Sequence, residues 1–408
     1  MSKNTANSDK PRLKIKQFNL ISQFSCLGDK CPNHCCGTWN VNVDNQTVAK
    51  YQESAPDLMQ YVEKNDSGEG HHLTHNPETS HCSLLQDGGL CKIHRDYGHE
   101  MLPEICRHYP RTFRSLEDKV LVTATSSCPE IARLAIFSED PFRVVDLTVD
   151  DFPAYVSNYA RADHSGDDML YVTKRFIKEA ARKDISASDI MMRIIRVSFM
   201  MDHHQASGWR RVIDGLFENA DFVAFPCHEN NYVESVEAFE LLKFLHDIRI
   251  GGVPRWFQMF ETAAKRFSNA DFSNVISEEN PISMLDEVWL EKIKKNRATT
   301  KKINWIMKRF IGAEIVRTMF PYAGNGTLIF DRILMIAFLF SCVRLMLIIH
   351  ADDEGNCPDD ETITRIFQTC VRHTAHLSKD LVQYLRDRKM NNIQRLEEAV
   401  RIFETAEK

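Results

Sequence analysis

The sequence lacks several features that would classify it at once. Its 408 residues include twelve cysteines but no C-x2-C pair, so the ordinary zinc knuckle is excluded. No apolar leader precedes the first patterned segment, because "MSKNTANSDKPRLKIKQ" is polar and basic; the expectation is a cytoplasmic protein. Long hydrophobic runs are missing as well. The most membrane-like stretch, residues 328–350, is broken by Asp331, Arg332 and Arg344. Its uninterrupted apolar run, residues 333–343, is about half of the ~20 residues that a bilayer requires. It reads as a buried core helix, and no membrane partner is expected. Positive charge is not in excess: 51 Lys and Arg face 57 Asp and Glu, a formal net charge of -6. A generally basic surface for nucleic acid is thereby excluded, whereas a partner with exposed lysines would be attracted.

What is present divides the chain in two. Eight cysteines lie in the first 128 residues: Cys26, Cys31, Cys35, Cys36, Cys82, Cys91, Cys106 and Cys128. By position 130 the chain has also used seven of its 14 prolines and seven of its 16 glycines, which predicts a loop-rich segment shaped by turns. After about residue 165 the texture becomes helical. Val236, Phe239, Leu242 and Leu245 form an amphipathic stripe, and similar segments run over 169–183, 189–203, 209–219, 255–267, 284–297, 303–319, 328–350, 362–377 and 393–405. Pro226, Pro254, Pro281, Pro321 and Pro358 fall between them, where helix breakers belong. The expected fold is mainly α: a flexible tail over 1–17, a cysteine-rich domain over 18–137, a linker or connecting strand over 138–165, and an all-helical domain over 166–408. With 43% hydrophobic and 26% charged residues, the chain has the composition of a folded globular protein.

Eight clustered thiols need a reason. Disulfide frameworks are rare in reducing compartments. Free cysteines do serve as small core residues, but not in turn-rich sequence beside Pro and Gly. Metal binding remains. Spacing leaves zinc and iron–sulfur both open, because Cys31-x3-Cys35 satisfies a loose zinc pairing and the longer separations suit a cubane held by four thiolates. Adjacent Cys35 and Cys36 project to opposite sides of an extended chain, so one ligates while the other packs, or two centres exist. Lys92, His94, Arg95, Arg107, His108 and Arg111 flank Cys91 and Cys106. Such cations favour the thiolate that a metal needs, unless they form a solvated face. The "HHLTH" run and His81 read as an exposed polar loop before they read as metal ligands.

In order and spacing, "FSCLGDKCPNHCCGTWNVNVD", "HCSLLQDGGLCKIHRDYGHEMLPEICRHYPR" and "SCPEIARLAI" resemble the flagellin lysine N-methylase (FliB) family, whose cysteine pattern is shared with the zinc- or iron-chelating CxxCxxCC group. The match covers residues 24–137; a weaker one follows at "MFPYAGNGTLIFDRILMIAFLFSCVRLMLIIHA". The resemblance implies a cytoplasmic enzyme that methylates lysine ε-amines of flagellin, with S-adenosylmethionine as donor and a [4Fe–4S] cluster on the N-terminal cysteines. Among the eight, the stretches of closest resemblance favour Cys91, Cys106, Cys128 and one of Cys35 or Cys36 as ligands.

Two departures from common methyltransferase patterns stand out. C-x3-C-x2-C is absent, since Cys31-x3-Cys35 runs directly into Cys36, and no strand–GxGxG–helix unit occurs; Gly324 and Gly326 in "YAGNGT" are a weak lookalike. The donor pocket and the catalytic base are therefore unassigned. Methyl transfer from a sulfonium to an amine needs the amine neutral, while a free lysine is mostly protonated at pH 7. A base or a desolvating channel would be required for a polar displacement. The acidic run with Asp352, Asp353, Glu354, Asp359, Asp360 and Glu361 reads as a solvated loop before a lysine-attracting one. The competing function is a non-catalytic iron–sulfur or zinc module, or an interaction scaffold.

Overall fold

The computed structural model describes residues 14–37, 40–147, 156–158, 164–219, 300–322, 328–352 and 356–374, together with Gln383 and Arg386. The helices expected over 236–248, 255–267, 284–297 and 393–405 lie outside the described residues, as do Cys227, Gly324 and Gly326. Helix predominates over sheet among the described residues.

The first described elements are strand β1 (Lys14–Phe18) and the short helix α1 (Asn19–Ser22). The first cysteines follow in irregular backbone. A small antiparallel sheet in the order β2-β4-β3 comes next, from β2 (Asn42–Val43), β3 (Val62–Lys64) and β4 (His71–Leu73). Between β2 and β3 lies α2 (Asn45–Ser54), started by Asp44, whose carboxylate accepts the Thr47 N–H at 2.8 Å. That satisfies one of the donors a helix start leaves unpaired. Two short helices, α3 (Lys92–Tyr97) and α4 (Glu104–His108), each carry or adjoin a cysteine.

A hairpin of β5 (Arg111–Leu116) and β6 (Lys119–Ala124) then builds the larger sheet, in the order β7-β1-β6-β5-β8, with β7 (Val144–Leu147) and β8 (Ser157–Asn158) at its edges. Strand β6 is central: β1 runs parallel on one side and β5 antiparallel on the other. Every residue of β6 is buried, as expected of a strand covered on both faces. Helix α5 (Pro129–Phe137) follows it at once.

The helical part contains α6 (Gly166–Ala180), α7 (Ala187–Asp202), α8 (Trp209–Glu218), α9 (Thr300–Thr318), α10 (Ile329–Ile349) and α11 (Asp360–Thr374). Ser165 caps α6, and Ser186 with Asp189 forms a reciprocal capping box on α7. Helix α10 is the apolar stretch of the sequence. It is buried among α7, α9 and α11, and two of its three charged residues are paired within the fold: Asp331 accepts from Arg386 at 2.6 Å and 2.7 Å, and Arg344 donates to Ser188 Oγ. Among the described residues no helix is long and apolar enough to cross a membrane.

Two expected boundaries need correction, and the interior explains why. The tail expected over 1–17 overlaps a strand, since residues 14–17 pair with both β6 and β7. The N-terminal third shares an apolar interior with the helices: Phe18, Phe113, Val120, Val122, Ile131 and Ile136 lie in one core with Met169, Phe176, Phe310, Phe340 and Phe367. At roughly 1.5–3 kcal/mol for each large side chain buried, this core is a main source of stability for both parts. Residues 138–165 consequently divide the chain and not the core. A second, smaller core around Val41, Tyr51, Leu58, Leu73, Leu84 and Ile93 underlies the cysteine segment.

Candidate metal centre

The thiols are assembled by short-range turns. From Cys82 the chain makes a tight reversal: Leu85 N–H donates to Cys82 O at 2.9 Å, Gln86 N–H to Leu90 O at 3.1 Å, and Gly89 N–H to Gln86 O at 2.8 Å. Gly89 sits at φ +76°, left-handed backbone that favours glycine. Lys92 N–H then donates to Leu84 O at 2.8 Å, and Leu85 bridges Cys91, so Cys82 and Cys91 are brought together. The first cysteine loop docks on this reversal through Cys82 N–H to Cys36 O at 3.0 Å and a bridge between Gly37 and His81. Cys106 arrives on α4. Cys36, Cys82, Cys91 and Cys106 all pack into the smaller core.

Cys128 belongs to the other core and stands at the N-cap of α5. Cys35 lies between the two sets. It acts electrostatically on Cys31 and Cys128 on one side and on Cys36, Cys82, Cys91 and Cys106 on the other. Cys26 is exposed and neighbours Cys31. Cys342 and Cys370 are buried thiols of the helical part, and Cys357 is half-buried. The structure therefore gathers the sequence-predicted thiols around Cys35, with Cys26 at the margin.

Burial is the main influence on these groups. It pushes Cys82 up to about 11 and Cys128 up to about 12, and it raises Cys91 and Cys106 as well. Backbone N–H groups of the following helical turns pull Cys91 and Cys128 the other way, but burial wins. Cys35 is the exception. The Cys36 thiol hydrogen-bonds to it and holds it down to about 7, while Cys36 is raised by the same bond.

This donor set suits a thiophilic metal, since a bound cation stabilises the thiolates that burial and mutual repulsion disfavour. The side chains as they stand are gathered without being drawn into a shell: among the described residues no three His, Cys, Asp or Glu groups meet the spacing of a metal site.

Among the flanking cations expected to compensate the thiolates, three have acidic neighbours on the same segment. Lys92 and Arg95 both pair with Asp96, at 2.8 Å and 2.5 Å, and Arg107 lies 3.6 Å from Glu100. The cation acting on Cys31 and Cys35 is Arg372 of α11. Its Nη1 donates to Asn33 Oδ1 at 2.9 Å and to His34 O at 3.1 Å. One turn earlier, Gln368 accepts from Asn33 Nδ2 at 2.8 Å and donates to Ser127 O at 2.9 Å. Sequence reading missed both residues, and no local signal could have found them. Tyr109 completes the surroundings. It hydrogen-bonds Ser127 Oγ at 3.1 Å, and burial raises its phenol. Of the histidine run, His71 and His72 lie half-buried on β4, where His72 Nδ1 meets Asn65 Oδ1 at 3.0 Å; the His81 ring stands edge-on to His34 at 5.2 Å.

Comparison with known proteins gives partial matches. The family described as the FliB lysine N-methylase C-terminal domain matches residues 210–401. The chain is 26% identical over 145 residues to a protein named Lysine-N-methylase from Salmonella typhimurium (strain LT2), covering 34% of this chain and 36% of that protein. The same figures hold for the Lysine-N-methylase of Salmonella choleraesuis. Identity to the flagellar biosynthetic protein FliU of Salmonella muenchen is 29% over 127 residues, covering 29% of this chain and 75% of the relative. The matched region thus spans about a third of the two lysine-N-methylases. No solved structure matches.

Proposed function

We propose, from the match to the FliB lysine N-methylase C-terminal domain and the likeness to two lysine-N-methylases, that the chain is a FliB-family protein-lysine N-methyltransferase. We take the substrate to be surface lysines of flagellin, the methyl donor S-adenosylmethionine, and the resident cofactor an iron–sulfur cluster of the [4Fe–4S] type held by the N-terminal thiols. The observation that carries the reading is the family match over 210–401. The name of the FliU relative, with its flagellar role, supports the choice of substrate.

Within this reading the chain's own residues do three things. The turns at 82–92 and the 31–37 loop bring the thiols together, with Cys36, Cys82, Cys91 and Cys106 on one side and Cys31 and Cys128 on the other. The two cores shield most of these sulfurs from water, which strengthens every charge interaction among them. Arg372 supplies fixed positive charge beside Cys31 and Cys35. When bound, a cluster would supply redox capacity and an anchoring point for the donor. The acceptor amine must lose its proton before it attacks the methyl carbon, the sulfonium leaving as a neutral thioether.

The test is incubation of oxygen-free protein with S-adenosylmethionine and flagellin, followed by mass measurement of the flagellin lysines. Methyl-sized mass gains on lysine, dependent on enzyme and donor, are the expected result. Iron and acid-labile sulfide in the protein without any methylation would instead favour a metal-binding module.

A further inference from the structure

The thiols come from segments far apart in sequence, and residues of α11 join two of them. Asn33, between Cys31 and Cys35, uses both ends of its amide: Nδ2 donates to Gln368 Oε1 at 2.8 Å, and Oδ1 accepts from Arg372 Nη1 at 2.9 Å. Gln368 is 1% exposed, and its own amide donates at 2.9 Å to the carbonyl of Ser127, the residue before Cys128. Arg372 also reaches His34 O at 3.1 Å. The guanidinium lies so close to the loop that a Cβ on Gly37 would stand 2.8 Å from Nη2, below any ordinary approach. Four hydrogen bonds, two of them from a charged donor, therefore tie residues 31–37 and 127–128 to one face of one helix more than 230 positions away.

We propose that Gln368 and Arg372 are positioning residues of the thiol centre: from α11 they hold the 31–37 loop against the 127–128 turn, so that the cysteine set is complete only when the C-terminal helices are docked. The geometric part stands on the hydrogen bonds alone; the part concerning metal rests on the iron–sulfur reading above. Both bonds leave one guanidinium nitrogen, Nη1, whose two N–H groups lie in a fixed plane and so hold both acceptors in set directions, which a freely rotating ammonium does not. The matched family domain, residues 210–401, contains both residues. On this proposal it contributes to the N-terminal cofactor site as well as to any chemistry of its own.

The experiment uses the full chain, purified without oxygen and loaded with iron and sulfide, as wild type and as Gln368→Ala and Arg372→Gln. Circular dichroism controls for folding, and Arg372→Lys replaces Arg372→Gln should the latter not fold. The expected result is unchanged helical content, a changed visible spectrum, less iron per chain than wild type, and about tenfold faster loss of iron to a chelator, the scale set by loss of a charge-assisted hydrogen bond. Iron content, spectrum and release rate equal to wild type in both variants would overturn the proposal. If the wild type itself takes up no iron, the metal reading fails, and positioning is judged from amide hydrogen exchange over 31–37. Faster exchange in the variants upholds it; unchanged exchange overturns it.

Discussion

Arg193 and Glu179 form an ion pair in the interior of the helical part, with 1% and 4% of their surfaces exposed. The arginine also donates to Phe217 O at 2.7 Å and Asn219 O at 3.2 Å, so it satisfies carbonyls that the end of α8 leaves open. Glu179 has a second cation, Arg182, at 3.3 Å. Breaking a buried pair strands a charge, which typically costs roughly 3–5 kcal/mol. Arg193→Met should lose stability of that order in denaturant unfolding, and Arg193→Met with Glu179→Gln should recover part of it. A single variant as stable as wild type would mean that the pair is not buried in solution.

Gly312 in α9 sets two effects against each other. Alanine is the better helix former by up to about 1 kcal/mol. A Cβ there, however, would land on the ring of Phe142, and forcing extra volume into a packed site costs about 1–3 kcal/mol. The steric cost should win, and Gly312→Ala should lower the unfolding midpoint. Gly312→Ala with Phe142→Ala should separate the two, because the clash is then gone while the helix gain remains.

The thiols predict a pH profile for the metal-free chain. Cys82 and Cys128, pushed up to about 11 and about 12 by burial, stay protonated when folded, but ionise near the ordinary 9.0 when unfolded. Their stabilisation is complete below 9.0 and is lost as pH rises from there through the folded values, roughly 3–4 kcal/mol per thiol. Cys35, held down to about 7 by its bond from Cys36, acts in the opposite sense: its contribution is present above 9.0 and fades as pH falls through 7. Stability measured in reductant should rise modestly from neutral pH and then decline steeply in alkali. Cys82→Ala should flatten the alkaline decline, and a wild-type profile unchanged across that range would refute the burial of these thiols.

If the thiols hold a cluster as proposed, serine in place of Cys91 or Cys106 should reduce iron per chain to less than half, because oxygen is a poor substitute for a thiolate ligand and metal binding needs the full donor set. Cys357→Ser, at a half-buried thiol of the helical part, should leave iron content unchanged. Equal iron in all three variants would remove these cysteines from the ligand set.

The helical part was legible because its signals are local. The 3.6-residue stripes and the Ser165 and Ser186 caps lie within a few positions of what they organise, and the expected segments at 169–183, 189–203, 209–219 and 303–319 meet α6, α7, α8 and α9 with ends shifted by up to three residues. The thiol-rich segment was legible from composition and spacing. The five-stranded sheet was not, because β1, β6 and β7 pair across roughly a hundred residues and each is too short to carry a distinct period alone.

Local pattern in the sequence was enough to place α6 to α10 and to mark the N-terminal third as dense in thiols. That this third shares a core with the helices, and that Gln368 and Arg372 reach the cysteine loop, came from packing between distant segments. Periodicity and composition are properties of neighbours along the chain. A hydrogen bond between Arg372 and Asn33 depends on how two distant surfaces pack, and no window of sequence contains both.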